Sequence, residues 1–407
     1  MINGFVLMAW GIAVASIYII VYYLLLLIEM EGEPRRRYRR QPDVTIAIPA
    51  YNEGKHVRKS LDSLLVSNYP LEKIHAVVVD DGSKDHTRKE VRKFIREHPD
   101  FDVKLLVNSK NRGKAYSLNR VLKTTTTDFM ITMDADSEAH PHALSELIKY
   151  SKDVSIVTPC VLPRNRKGRI EKVQEIEYIY SNYLASLLSG FDAQTVAPGP
   201  FSLFRVVDLK NVGGFDEDSV AEDLEVVFRM RKGGHSMRLA PHAKVYTEIP
   251  IKLGGLVKQR KRWKQGFLYA VNKHPKGIAP HTEFGRQNLM NFLYIFVTLS
   301  VLFLFARGIF VVAEPALNVI RYVGFDIWPY LQSMHFSIDF LSLDIQMTLY
   351  ISVVAFITSI FLYVATQFHD RRINPFDAFL FMFVYGLAIS TATLLATYSW
   401  VKGDRKW

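Results

Sequence analysis

The sequence contains one cysteine, Cys160, among 407 residues. A single thiol excludes an intramolecular disulfide and a cysteine metal cluster, and we expect Cys160 to pack in a strand. The 12 histidines lack metalloprotease spacing, and the chain has no internal repeat or low-complexity tract. The sequence therefore excludes three classes of protein: disulfide scaffolds, proteins with cysteine metal centres, and metalloproteases with that histidine spacing.

Charged side chains are missing from residues 5–28. At about 1.5 Å per residue, a helix of this length crosses an apolar layer of about 30 Å. The segment lacks the basic start and the small-residue cleavage site of a secretory signal. We therefore predict a retained transmembrane signal anchor over residues 1–30.

A basic linker over residues 31–42 follows the predicted anchor, and it places the next domain in the cytoplasm by the positive-inside bias. Lys and Arg exceed Asp and Glu overall, 51 to 40. Juxtamembrane basic clusters more often meet anionic lipid headgroups than nucleic acid. We therefore expect a lipid bilayer, and no nucleic acid, as a partner.

Three further apolar stretches lie near the C-terminus, at about 289–313, 347–368 and 376–400. They predict a membrane bundle of about three spans over residues 289–407, with the segment 314–345 as an interfacial or external loop. Arg307 falls inside the first span, where it is expected to reach an interface or a lipid phosphate. The protein is thus predicted to be an integral membrane protein of the cell membrane.

Between these membrane segments, apolar runs repeatedly end in polar clusters. Near-continuous apolar runs mark strands that are covered on both faces, and helical patterns separate them. The succession predicts a Rossmann-like α/β domain over residues 43–250, with a mostly parallel sheet. Ligands of such sheets bind beyond the carboxyl ends of the strands, where four clusters lie: 49–53 (PAYNE), 80–83 (DDGS), 111–114 (NRGK) and 134–136 (DAD).

The DAD cluster directly follows the apolar run 129–132, so that Asp134 and Asp136 sit where a buried strand reaches solvent. Hard cations take oxygen ligands, and one that also holds a nucleotide diphosphate needs only one or two protein carboxylates. An isolated Asp-x-Asp is more often a solvated acidic turn. The three neighbouring clusters favour the cation site.

The second half of the domain begins after a strand at 154–158, with a helix at 170–188 and a turn-rich segment at 198–202 (PGPFS). Glu222 and Asp223 then open an amphipathic helix. The helix dipole favours carboxylates in the first turn of a helix. The acidic pair is therefore either part of a site or an ordinary helix start.

The order of these motifs, ending in QRKRW at 259–263, resembles the family 2 glycosyltransferases, in particular membrane members such as cellulose, chitin and hyaluronan synthases. The resemblance covers about residues 43–270. The stretch 134–140 (DADSEAH) is also similar to the metal loop of dolichyl-phosphate mannose synthases. This resemblance implies a GT-A fold, a Mn²⁺ or Mg²⁺ ion and inversion at the anomeric carbon.

The resemblance also implies roles for single residues, which concern the donor, the metal, the base and the acceptor. Asp134 would face the ribose or the metal, Asp136 would bind the metal, and Glu138 would be a further oxygen ligand. Asp223 would be the general base. The donor would meet Tyr51, Glu53, Asp80, Asp81 and Lys114, and the acceptor and diphosphate would meet Glu222, Gln259, Arg262 and Trp263.

Residues 251–288 mix apolar and basic side chains, as expected of amphipathic helices lying in the headgroup region. We expect an inverting hexosyltransferase that moves a sugar, with GDP-mannose favoured and UDP-sugars open, to a polyprenyl- or dolichyl-phosphate-linked acceptor. The alternative is a processive UDP-sugar polysaccharide synthase that exports its polymer, for which four membrane helices are few. A nucleotidyltransferase would leave the QxxRW motif unexplained, and a scaffold would leave all the motifs unexplained.

Overall fold

The structure is a computed structural model that describes residues 4–29, 40–279, 281–299, 345–369 and 371–403. The basic run at 35–39, Arg307 and the predicted loop at 314–344 lie outside the described residues. Within the described part, an α/β domain carries long apolar helices at both ends of the chain.

Eight strands form one mixed sheet in the order β3-β2-β1-β4-β7-β6-β8-β5. The pairs β1–β2, β1–β4, β2–β3 and β6–β8 are parallel, and β4–β7, β6–β7 and β5–β8 are antiparallel. The mostly parallel GT-A-like sheet confirms the predicted fold class. The strands are β1 (Val44–Ala50), β2 (Ile74–Asp80), β3 (Val103–Val107), β4 (Phe129–Thr132), β5 (Glu138–Ala139), β6 (Ile156–Pro163), β7 (Ser202–Arg205) and β8 (Met237–Thr247).

Helices cover both faces of the sheet, which explains why strands such as β4 and β6 are buried along their whole length. Cys160 lies fully buried in β6, as predicted. The helices of the domain are α2 (Val57–Leu65), α3 (Thr87–Glu97), α4 (Lys114–Thr124), α5 (Ala143–Lys149), α6 (Arg169–Gly190), α7 (Val206–Asn211), α8 (Glu222–Lys232) and α9 (Leu253–Lys273).

Two core clusters fix the sheet between these helices. On one face, β1, β2 and β4 pack against α2, α3 and α5 through side chains such as Ile46, Leu61 and Phe94. On the other face, α4 and α8 pack through Leu118 and Phe228. The carboxyl ends of β1, β2 and β4 therefore share one edge of the sheet.

The remaining helices are α1 (Gly4–Glu29), α10 (residues 283–299), α11 (Ile345–Phe368) and α12 (Pro375–Val401). Among the described residues, Trp10–Ile28 and Pro375–Val401 are long and apolar enough to cross a membrane. Helix α6 joins the two parts of the molecule, because it packs against Leu26 of α1 through Leu188 and against Phe361 of α11 through Tyr183. The predicted number of spans stays a prediction.

Candidate active site

The loop after β1 is held by the loop after β2. Asn52 has a positive φ of 58°; its backbone N–H donates to Ser83 Oγ (2.9 Å), and its Oδ1 accepts from the backbone N–H of Lys84 (2.9 Å). This geometry leaves Tyr51 42% exposed at the edge of the sheet. The two loops thereby hold each other in place.

Asp80 and Asp81 are buried at the end of β2. Asp80 pairs with Arg88. Asp81 accepts from the backbone N–H groups of Arg112 (3.0 Å) and Gly113 (2.8 Å) and so fixes the start of α4. The two carboxylates therefore organise the loops around the predicted nucleotide position, and direct contact with the donor stays a prediction.

Lys114, the first residue of α4, lies between two acidic segments. Its Nζ is 2.6 Å from Asp134 Oδ1 and 3.0 Å from Glu222 Oε1. Burial alone would lower the pKa of Lys114, but the carboxylates of Asp134, Glu222 and Asp223 hold that pKa above its usual range. A Cβ on Gly199 would lie 2.4 Å from this Nζ, so the glycine of the PGPFS segment leaves room for the ion pairs.

Asp136 is half-buried two residues beyond Asp134, and its carboxylate accepts from Ser137 Oγ (3.2 Å). Burial and the charge of Asp134 raise the pKa of Asp136 to about 6. A half-buried carboxyl group beside a second carboxylate fits a position where a divalent cation neutralises the two charges. The same two carboxylates act on Glu53: burial and the charges of Asp136 and Asp134 raise the pKa of Glu53 to about 7.

Glu138, the third predicted ligand, pairs with Arg164, which also pairs with Glu248. In the described ranges, no three His, Cys, Asp or Glu side chains cluster as a metal site. Asp134 and Asp136 offer carboxylate oxygens of the kind that hold a divalent cation, and metal-binding roles for these two residues and for Glu138 stay predictions.

Asp223 lies in the first turn of α8, and it joins the Lys114 cluster through charge. Burial and Glu222 raise the pKa of Asp223 to about 6, against the lowering effects of Lys114 and Arg262. A raised pKa suits a general base, which has to bind a proton near neutral pH. The predicted base thus shares one electrostatic site with residues from α4, the loop after β4 and α9.

Helix α9 comes close to the start of α8 because Gly266 has no side chain. A Cβ built on Gly266 would lie 2.2 Å from the Cβ of Ala221. Ala221 immediately precedes Glu222 and Asp223. The contact therefore sets the position of the QRKRW segment relative to the acidic pair.

The comparisons with known proteins agree with this arrangement. The family model described as "Glycosyltransferase like family 2" matches residues 42–266. The chain belongs to this family. It is a glycosyltransferase, as its motifs predict.

Curated relatives of this glycosyltransferase include the poly-beta-1,6-N-acetyl-D-glucosamine synthase of Staphylococcus aureus (strain COL), 32% identical over 252 residues. The enzyme of the same name from Staphylococcus epidermidis is 30% identical over 238 residues and covers 57% of this chain and 56% of its own. The glycosyltransferase spans 58% of the S. aureus relative, and the match covers 58% of this chain.

A solved mannosyltransferase from Pyrobaculum calidifontis, in complex with GDP-Man and Mn²⁺, has a similar structure, with a TM-score of 0.60 and 21% sequence identity. The similarity covers 90% of this chain and 99% of the mannosyltransferase. At this identity it shows the fold alone, which is GT-A.

Arg260 belongs to the QRKRW segment but was not among the predicted site residues. Arg260 is 3% exposed; it pairs with Gln259 and with Glu177 of α6, and its Cζ lies 4.0 Å from the ring centroid of Trp263. Gln259 and Trp263 are therefore held by Arg260, whereas the charge of Arg262 acts on Asp223.

Tyr178 of α6 was also missed. Burial raises its pKa to about 12, and the charges acting on its phenol include Arg260, Asp136 and Asp134. Tyr178 thus lies within electrostatic range of both the DAD loop and α9. The periodicity of α6 gives no signal for this role, because Tyr178 is one of several tyrosines on a long helix.

Proposed function

We propose that this protein is an inverting, metal-dependent membrane glycosyltransferase that adds N-acetylglucosamine from a UDP-linked donor to a growing polysaccharide. The observation that carries the proposal is the convergence of Asp223, the Lys114–Asp134 ion pair and Arg262 at one edge of a GT-A sheet. The names of the curated relatives supply the sugar and the polymeric product.

Asp223 acts as the general base in this proposal. It takes the proton of the acceptor hydroxyl as that oxygen attacks the anomeric carbon from the face opposite the diphosphate. The bond between the anomeric carbon and the diphosphate oxygen breaks, and the nucleoside diphosphate leaves with the bonding electrons. One displacement inverts the configuration and needs no covalent enzyme intermediate.

Asp134 and Asp136 would hold the ion, Mn²⁺ or Mg²⁺. When bound, a divalent cation neutralises the negative charge that develops on the diphosphate. Lys114 contributes a second positive charge beside Asp134. Tyr51 and Glu53 would contact the nucleoside from the exposed loop after β1, with Asp80 and Asp81 holding that loop system in place.

Arg262 would contact the diphosphate, and Trp263 would supply a flat face for the acceptor sugar. Glu222, which pairs with Lys114, would orient that lysine toward the diphosphate. We infer that residues 251–288 lie along the membrane surface and that residues 1–30 and 289–407 anchor the cytoplasmic domain (43–250) in the bilayer, with 31–42 as the basic linker.

The sequence favoured mannose transfer from GDP-mannose to a polyprenyl-linked acceptor, and the comparisons give that donor and acceptor no support. Its alternative, a processive synthase, is the better supported of the two, because the curated relatives are polysaccharide synthases.

The proposal is tested by incubating the purified full-length protein in lipid with Mn²⁺ and, separately, UDP-N-acetylglucosamine, UDP-glucose and GDP-mannose. We expect consumption of UDP-N-acetylglucosamine and a ladder of N-acetylglucosamine oligomers in the mass spectrum. Transfer of one or a few mannoses to a polyprenyl-phosphate-linked sugar would overturn the polymer proposal and restore the first expectation.

A further inference from the structure

We propose that Tyr385, Glu177 and Arg260 form a relay through which the last apolar helix, α12, holds Trp263 in its working orientation. The relay rests on the proposed function, because it acts on the acceptor side of the same site. Its members are positioning residues: Tyr385 contacts Glu177, Glu177 contacts Arg260, and Arg260 lies over Trp263.

The relay is continuous at hydrogen-bond distance. The hydroxyl of Tyr385 donates to Glu177 Oε2 (2.6 Å), and Arg260 Nε donates to Glu177 Oε1 (3.1 Å). A second guanidinium nitrogen of Arg260 also pairs with Glu177, and the Arg260 guanidinium lies over the Trp263 ring. Three segments that are far apart in sequence, α6, α9 and α12, thus meet at the carboxylate of Glu177.

Because Arg260 is buried, its orientation depends on the residue that pairs with it. Only 3% of its surface is exposed, and a buried guanidinium needs a partner that satisfies its charge and its donors. The carboxylate of Glu177 supplies both the opposite charge and the acceptors through a bidentate contact. Arg260 is therefore confined to one orientation, and the face of Trp263 that it covers is confined with it, while the side chain of Trp263 stays 37% exposed.

Helix α12 contributes Tyr385 through an irregular turn. Residues Leu380–Tyr385 form a π-helical segment, and Tyr385 is its last residue. Such widened turns are rare and frequently occur at functional sites. Tyr385 packs there against Val173 of α6 and Leu256 of α9, so its hydroxyl reaches Glu177 from a fixed ring.

A second contact holds the first turn of α12 on α6. Arg169 Nη1 is 2.6 Å from Asp377 Oδ1, and Asp377 is 4% exposed. Because α12 is docked on α6 without Tyr385, removing only the Tyr385 hydroxyl should leave the helix in place. A change in the acceptor site would then come from the relay rather than from loss of the membrane helix.

The test compares Tyr385→Phe with Tyr398→Phe in the full-length protein in lipid. Tyr398 lies on the same helix and is 55% exposed, so the control removes the same atom away from Glu177. With N-acetylglucosamine oligomers as acceptor, we expect Tyr385→Phe to raise the acceptor KM about tenfold, which corresponds to about 1.4 kcal/mol. The donor KM should stay within about twofold, and Tyr398→Phe should resemble the wild type.

Each change is then repeated in a Trp263→Phe background. If the relay acts through Trp263, Tyr385→Phe should add little to the effect of Trp263→Phe, because interacting positions are not additive. Additive effects would overturn the relay and leave Tyr385 as a simple packing residue. Equal increases in the donor KM and the acceptor KM of Tyr385→Phe would overturn the relay as well.

A readout without substrate separates this proposal from the proposed function. The acrylamide quenching of the Trp263 emission, taken as the difference between each protein and its Trp263→Phe counterpart, should increase in Tyr385→Phe and stay unchanged in Tyr398→Phe. Unchanged quenching in both would refute the relay even in an active enzyme. Increased quenching in a protein that consumes none of the tested donors would support the relay and refute only the function.

Discussion

Adding one methyl group at Gly266 should disable transfer without disturbing the donor site. The new Cβ of Gly266→Ala would lie 2.2 Å from Ala221 Cβ, whereas ordinary contacts begin at 3.4 Å. Helix α9 and the start of α8 would therefore have to separate by about 1.2 Å. A misplacement of about 1 Å can cost about 10²-fold in rate, and we expect a loss of that order in kcat.

The matched control is Gly254→Ala on the same helix, where a Cβ would meet nothing within 4 Å. Both changes favour helix formation by up to about 1 kcal/mol, so the difference between them isolates the contact with Ala221. The assay is transfer kinetics together with calorimetric donor affinity, which should change less than about threefold. Activity of Gly266→Ala equal to that of Gly254→Ala would refute the argument that this contact positions the acidic pair.

Other predictions concern the metal, the diphosphate and the base. Asp136→Asn should sharply weaken donor binding, measured by calorimetry, and wild-type protein should lose activity in EDTA and recover with Mn²⁺; full activity after exhaustive chelation would contradict the metal role. Arg262→Lys should abolish transfer in the kinetic assay while vesicle flotation stays normal, because it keeps the charge and loses only the bidentate fork; retained transfer would contradict diphosphate contact. Because the pKa of Asp223 is raised to about 6, this base is protonated at lower pH, so kcat should fall about tenfold per pH unit below 6 and level off above it; a flat profile down to pH 5 would contradict the assignment.

The sequence predicted much of the first half of the sheet. Apolar runs that end in polar clusters are a local signal of strands covered on both faces, and β1, β2 and β4 carry it together with their carboxyl-end loops. Residues of the predicted site, such as Lys114 and Asp134, then meet because parallel strands bring their carboxyl ends to one edge. The family resemblance supplied the roles that this geometry alone does not assign.

The contacts between distant segments had no local signal. Glu177 meets Arg260 across 83 positions and Tyr385 across 208 positions, and neither periodicity nor composition encodes those distances. The close contact at Gly266 had no signal in the sequence either. Whether a glycine within a helix permits a close approach depends on which segment packs against it. The donor and the acceptor stay proposals, because the metal loop resembles mannose-phosphate synthases, whereas the curated relatives are polysaccharide synthases.

The most direct test of the active-site assignment is the transfer rate and donor affinity of Asp223→Asn, compared with Asp218→Asn in the exposed loop before α8. We expect Asp223→Asn to bind the donor normally in calorimetry and to lose transfer by at least about 10²-fold, while Asp218→Asn behaves as the wild type. Transfer by Asp223→Asn within a few fold of the wild type would contradict the role of Asp223 as general base, and so would loss of donor binding together with transfer.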